Sequence, residues 1–362
     1  MTKSSAGQNA PILAVDAMGG DAGPKAVIDG AALARRHRNV GRFLFFGDEA
    51  VLRPLVDDAG LGDISDVVHA EKVVAMTDKP SHVIRRGQDT SMWAAIHAVK
   101  TGNAQAVVSC GNTGALMALS RLQLRMIKGV DRPAISALWP TMRGRSIILD
   151  VGANVEADEN QLVQFAIMGE AFSRALTGNK KPTIGLLNVG SEDLKGHETI
   201  RTAARILRET NLDMAFEGFV EGDDISKGAV DVVVTDGFTG NIAIKTAEGA
   251  ARLIGGWVKE ALKGTLNARI GSLFMAIGLR KLKARMNPSS ANGGVFLGLN
   301  GIVVKSHGSA DAQGVESALD MAASLAARPF LDEVRDTVKT VMEQRDTAQT
   351  DVDASVLAKA VV

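Results

Sequence analysis

One unit recurs along this sequence: a short β-branched run, a turn rich in glycine, asparagine or aspartate, then a helical pattern. It appears as "PILAVD" (11–16) before Asp16-Ala17-Met18-Gly19-Gly20-Asp21, and as "QAVVS" (105–109) before Gly111-Asn112-Thr113-Gly114. It returns as "SIILDV" (146–151) before Gly152-Ala153-Asn154, "TIGLLN" (183–188) before Val189-Gly190-Ser191, and "VDVVVT" (230–235) before Asp236-Gly237-Phe238-Thr239-Gly240-Asn241. Alternation of this kind is the sequence form of a mostly parallel sheet with helices on its faces, so the predicted fold class is α/β. Further strands are expected at 42–47, 134–138 and 301–306. Helices are expected at 23–37 and after Val155, where Leu162, Phe165, Ala166, Met168 and Phe172 share one side.

The turns suit anions. Glycine lets backbone N–H groups approach an oxyanion, and a following helix N-terminus adds its positive end. Glycine and asparagine are also ordinary turn residues, so the argument rests on their recurrence after each strand. Ligands of an open parallel sheet gather outside the carboxyl ends of the strands, which predicts that these turns converge on one edge. Neither the P-loop spacing nor a G-x-G-x-x-G after the first strand is present.

Composition removes several classes of function. Lys+Arg and Asp+Glu both number 41, a balance that argues against a nucleic-acid binder. A single cysteine, Cys110, excludes an internal disulfide and a multi-cysteine metal site. No run reaches the roughly 18 apolar residues of a membrane span, and the first residues lack a secretory pattern. The chain reads as a cytoplasmic metabolic protein with one α/β domain over 11–343, a tail at 1–10, and a terminal helix or frayed tail at 344–362.

"AVDAMGGD" (14–21), "SCGNTGAL" (109–116), "LDVGAN" (149–154), "LLNVGSEDLKG" (186–196), "FVEGDDI" (219–225), "DVVVTDGFTGNIAIKT" (231–246), "LGLNG" (297–301) and "KSHGSAD" (305–311) together resemble the phosphate acyltransferases of bacterial phospholipid synthesis. The motifs run in matching order from about residue 11 to 325. The resemblance implies a Rossmann-like α/β/α sandwich related to isocitrate and isopropylmalate dehydrogenases and to phosphotransacetylase. It also implies transfer of a long-chain acyl group from acyl carrier protein to inorganic phosphate, giving acyl phosphate, without cofactor or metal. The family's habits add a homodimer, peripheral attachment to the inner face of the membrane, and the membrane glycerol-3-phosphate acyltransferase as a partner.

For that chemistry the site must hold phosphate, align it with a thioester carbonyl and stabilise the oxyanion. Backbone N–H groups at 111–114 and 237–241 suit phosphate, with Gly19, Gly20, Asn112, Thr113, Asn154, Asn188, Thr239 and Asn241 as further binding residues. Lys195 and Lys245 are candidate cations, and His307 a candidate donor to the thioester or the leaving thiolate. His307 and Lys245 also have ordinary structural readings, as a hydrogen-bonded histidine and a helix-surface lysine. Carboxylates repel phosphate, so Asp16, Asp150 and Asp236 are expected to orient lysines, cap helices or take a proton. Cys110 is expected to be a small buried side chain, leaving phosphate to attack directly. An acyl-CoA-dependent phosphotransacetylase, a nicotinamide dehydrogenase and a non-catalytic lipid-binding scaffold remain alternatives at this stage.

From Ala261 to Ala310 there is no acidic residue. Within this stretch 264–286 places Leu266, Ile270, Leu273, Phe274 and Ile277 on one helical face, with Arg269, Arg280, Lys281 and Lys283 beside it. A basic amphipathic helix of this kind is expected to meet membrane or carrier protein. Asn292 stands where members of the family often carry an aromatic residue.

Overall fold

The computed structural model describes residues 10–37, 40–209, 214–265, 275, 278 and 293–340. Its strands are β1 (Ile12–Asp16), β2 (Arg42–Gly47), β3 (Ser65–His69), β4 (Ala106–Ser109), β5 (Ala134–Thr141), β6 (Gly144–Leu149), β7 (Thr183–Leu187), β8 (Ala215–Val220), β9 (Val232–Val234), β10 (Gly294–Leu297) and β11 (Ile302–Lys305). Its helices are α1 (Gly23–Ala34), α2 (Glu49–Asp58), α3 (Pro80–Arg86), α4 (Ser91–Lys100), α5 (Thr113–Leu124), α6 (Glu159–Thr177), α7 (Glu198–Glu209), α8 (Gly222–Lys227), α9 (Gly237–Lys263) and α10 (Ala312–Ala326). A last helical stretch occupies 330–340.

All the strands join one eleven-stranded sheet in the order β3-β2-β1-β4-β11-β10-β5-β6-β9-β7-β8. The alternation within each strand explains why both faces are covered. Leu13, Val15, Phe43, Phe45, Val108 and Val304 pack toward α1, α6 and α10, while Ala14, Val107 and Val303 pack toward α4 and α5. Each large side chain buried this way contributes about 1.5–3 kcal/mol. Helix α6 is buried on nearly every side, and its expected core residues Leu162, Phe165, Ala166, Met168 and Phe172 all lie in the core. Asp158 and Gln161 cap it reciprocally, and Gly178 ends it with φ of 77°.

Every strand expected from the sequence is present. The strands that were not expected, β3, β8 and β10, are short or interrupted: β3 is an exposed edge, β8 carries Glu217 and Gly218, and β10 is four residues in a glycine-rich stretch.

The expected convergence of the turns on one edge requires correction. Strand β10 runs antiparallel to both β11 and β5, and β5 runs antiparallel to β6. Strands β6, β9 and β7 therefore point opposite to β1, β4 and β11. The turns at 16–21 and 110–114 open on one edge of the sheet, and those at 150–154, 188–191 and 236–241 on the other. Helix α9 spans the gap. It starts at the second edge, and about two turns later Lys245 lies near enough to act electrostatically on Lys305 and His307 after β11.

The segment carrying Arg269, Leu273, Phe274, Ile277, Arg280, Lys281 and Lys283, and Asn292 after it, lie outside the described residues. Among the described residues no helix is long and apolar enough to cross a membrane. Nor is any group of three His, Cys, Asp or Glu side chains there arranged to hold a metal ion.

Candidate functional site

Asp16, Ser109 and Lys305 are the last residues of three adjacent parallel strands and stand in register across them. Each lies two positions after a residue packed toward α4 and α5, so the three form a polar rung on that face. Asp16 accepts the hydroxyls of Ser91 and Ser109, both at 2.7 Å, and the N–H groups of Met18 and Gly19. Burial raises its pKa above the usual carboxylate range, and these donors oppose the rise. The turn that follows has no room for side chains. A Cβ on Gly19 would lie 2.6 Å from Asp16 Oδ2, and Gly20, with φ of 96°, sits against Cys110.

The turn after β4 is built around Asn112. Its Oδ1 accepts the N–H of Ala115 at 3.0 Å, capping α5, and its Nδ2 donates to Met76 O (2.8 Å) and Asp78 O (2.9 Å). The side chain is thereby occupied by the protein. The backbone N–H groups of Asn112, Thr113 and Gly114, by contrast, have no acceptor among the described residues. This is an open helix N-terminus of the kind that takes an oxyanion. Cys110 beneath it is buried, and burial pushes its thiol pKa up, against a hydrogen bond to Ser306 and the charge of Lys305. A thiol held protonated in this way is a poor nucleophile.

After β11 come Lys305, Ser306 and His307. Lys305 is buried and donates to the carbonyl oxygens of Cys110 (3.3 Å) and Ser306. Burial lowers its pKa to about 8. His307 Nδ1 lies 2.9 Å from Ser309 Oγ; partial burial first, then the Lys245 charge, lowers its pKa. Lys245 itself pairs with Glu248 at 3.0 Å.

The opposite edge is differently organised. Asp150 accepts the N–H groups of Ile135, Gly152, Ala153 and Asn154, at 2.7–3.1 Å, and is a staple for its loop. The Asn154 amide is turned inward, to Pro133 O (2.8 Å) and Asp150 (2.9 Å). Asp236 caps α9 through Thr239, whose N–H and hydroxyl both donate to it at 2.8 Å. The N–H groups of Gly237, Phe238 and Gly240 go to Asn154 O, Val155 O and Asp236 O. Expecting backbone donors at 237–241 to meet phosphate is therefore incorrect for this first turn, because the protein already satisfies them.

Asn188 donates to Lys195 O at 3.0 Å, and Lys195 is exposed in the loop after β7, on the edge away from His307. Asn241 is exposed one turn before Lys245 on α9. Beside the Asp236 turn lies a cavity of about 620 Å³ lined by Leu162, Leu186, Ile200, Val234 and Phe238, with His197 and Asp236 among its polar groups. From Phe238 to Lys245, α9 rises about 10 Å, so one short stretch of helix carries both a residue of this cavity and the lysine whose charge reaches Lys305 and His307.

Sequence reasoning missed Ser91 and Lys305 as site residues and took Ser109 only as part of a motif. Lys305 carried the clearer signal: a lysine ending the apolar run "GIVV" faces the interior of a central strand.

The family model described as fatty acid synthesis protein matches residues 12–332. A phosphate acyltransferase of Maricaulis maris (strain MCS10) is 54% identical over 329 residues, covering 90% of this chain and 94% of that one. Among solved structures, EutD phosphotransacetylase from Staphylococcus aureus gives a TM-score of 0.58 at 17% identity over 88% of this chain and 95% of that one. A 4-hydroxythreonine-4-phosphate dehydrogenase from Klebsiella pneumoniae gives 0.52 at 14% over 88% and 99%. The two structural likenesses bear on the fold alone. The family match over residues 12–332 and the identity over 90% of the chain place it in the phosphate acyltransferase family of fatty acid synthesis proteins, hence among the acyltransferase enzymes.

Proposed function

We propose that the protein moves a long-chain acyl group from acyl carrier protein to inorganic phosphate, giving acyl phosphate by direct attack. The observation that carries this reading is the turn at 112–114, where three backbone N–H groups are left open at the start of α5 beside a cationic cluster. A phosphate oxygen attacks the thioester carbonyl carbon, the C–O bond forms, and the C–S bond breaks to release the carrier thiolate, which takes up a proton. His307, kept neutral at neutral pH by its lowered pKa, is suited to accept a proton from dihydrogen phosphate or to pass one to the thiolate. Burial of the Cys110 thiol supports attack without an acyl-enzyme.

The cavity beside Phe238 is within the size range of small-ligand sites and is the proposed acyl site. Asn241, one turn before Lys245 on α9, then serves the thioester end. Phe238, Ile242, Leu253, Ile254 and Trp257 are exposed along α9, an apolar stripe that supports a homodimer or peripheral membrane contact.

The test is release of carrier thiol from palmitoyl-acyl carrier protein, with and without orthophosphate. Phosphate-dependent release is expected. Release at the same rate without phosphate would make the protein a hydrolase, and phosphate-dependent release from palmitoyl-coenzyme A alone would move the donor.

A further inference from the structure

Lys305 occupies the middle of the sheet, between β4 and β10, and is only 7% exposed. An ammonium buried this deeply is ordinarily matched by a carboxylate in direct contact, because an unpaired buried charge is strongly destabilising. Lys305 makes no ion pair among the described residues; its hydrogen bonds go to the Cys110 and Ser306 carbonyls. Asp16 stands one strand beyond Ser109 in the same rung, and its carboxylate is taken up by two serine hydroxyls. An ammonium carries three donors, and two are accounted for. Cys110, whose carbonyl receives one of them, is followed directly by the turn whose N–H groups at 112–114 are also open. Two independent unfilled donor sets thus flank the same residue. With the Cys110 thiol protonated, the charges that reach Lys305 are those of Asp16 and Asp21, which favour the ammonium, and of Lys245, which opposes it.

We propose that the missing counter-ion is the substrate: Lys305 and the N–H groups of Asn112, Thr113 and Gly114 together form the binding site for the attacking orthophosphate. This rests on the reading above, in which phosphate is the acyl acceptor. A tetrahedral oxyanion offers acceptors in several directions, matching one ammonium donor and a fan of backbone N–H groups. Binding is strongest while Lys305 is charged, so orthophosphate affinity falls as pH rises through about 8. Asp16 acts through Lys305 as a positioning residue. Removing its charge lowers the lysine pKa and moves that alkaline limb to lower pH.

The experiment measures orthophosphate binding by titration calorimetry across pH 6.5–9.5, with KM for phosphate and for the acyl donor, in wild type, K305Q, K305R and D16N. K305Q is expected to weaken orthophosphate binding by about tenfold or more while leaving the KM for the acyl donor unchanged. K305R is expected to bind orthophosphate and lose the limb near pH 8, since a guanidinium stays charged there. D16N is expected to shift the limb downward. Wild-type orthophosphate binding that persists in K305Q overturns the assignment of Lys305 and leaves the acyltransferase reading intact. Should K305Q not fold, an unmoved alkaline limb in K305R overturns it instead. Wild type that neither binds orthophosphate nor releases thiol overturns both.

Discussion

Ser109 Oγ lies 2.7 Å from Asp16 Oδ2 and at the same time accepts the N–H of Gly111 at 3.0 Å. One hydroxyl therefore ties the end of β1 to the turn that follows β4. Ser109→Ala removes a donor from a buried carboxylate and an acceptor from a buried N–H, and is expected to destabilise the fold by about 1–3 kcal/mol. The folded pKa of Asp16 is already raised by burial, so the native state holds its proton more firmly than the unfolded chain does. Its contribution therefore declines as pH rises from the ordinary carboxylate value through the folded one. Losing Ser109 widens that window. Urea unfolding at pH 5 and pH 8 should show a larger deficit at pH 8; equal deficits would remove Asp16 from the explanation.

Lys305 has the opposite linkage. Its pKa is about 8 folded against 10.5 in the unfolded chain, so the unfolded chain binds more protons between those values and stability rises with pH across that window. The rise attributable to this group is about 3 kcal/mol. Lys305→Met is expected to flatten the slope of unfolding free energy between pH 8 and 10, measured by guanidinium titration at each pH. An unchanged slope would mean that the ammonium is not buried in solution.

Asn112 has separable duties. Its Oδ1 caps α5, and its Nδ2 holds the loop at 75–78. Asn112→Asp keeps the cap and loses the amide donors, so proteolysis within 75–89 is expected to accelerate while global stability changes little. Asn112→Ala loses both and should cost a further ~1 kcal/mol. Identical behaviour of the two variants would contradict this division.

Cys110→Ala tests the acyl-enzyme directly. The thiol is buried and its pKa raised, so the variant is expected to keep turnover within about threefold of wild type. Abolished turnover with an intact circular dichroism spectrum would restore a nucleophilic cysteine.

Asp150→Ala leaves several loop N–H groups without an acceptor. A loss of about 4 kcal/mol or more is expected, with Asp150→Asn milder because it keeps an acceptor oxygen. Thermal unfolding of the pair would show it, and equal midpoints would contradict the staple.

The strands were legible where apolar and β-branched residues ran unbroken, as at 12–16 and 232–234, and illegible where glycine or charge interrupted them, as at 215–220 and 294–297. The direction of the strands was not legible. The antiparallel β10 sits between segments far apart in sequence, and nothing local to "GVFL" states which way it pairs. This is why the parallel-sheet rule, applied to the sequence alone, puts all five turns on one edge. Site residue types were legible at Asp16 and 111–114, where glycine marks close backbone approach. What an asparagine does there was not: Asn112 and Asn154 both turn their amides to carbonyls that only the fold brings near. Lys305 needed strand register to be seen beside Asp16 and Ser109.

The central claim is that phosphate itself receives the acyl group. Phosphorus NMR of the purified enzyme with palmitoyl-acyl carrier protein and orthophosphate tests it most directly. The account predicts a new acyl phosphate resonance growing in step with carrier thiol. Thiol release with orthophosphate as the sole phosphorus signal, and free palmitate accumulating, would contradict it.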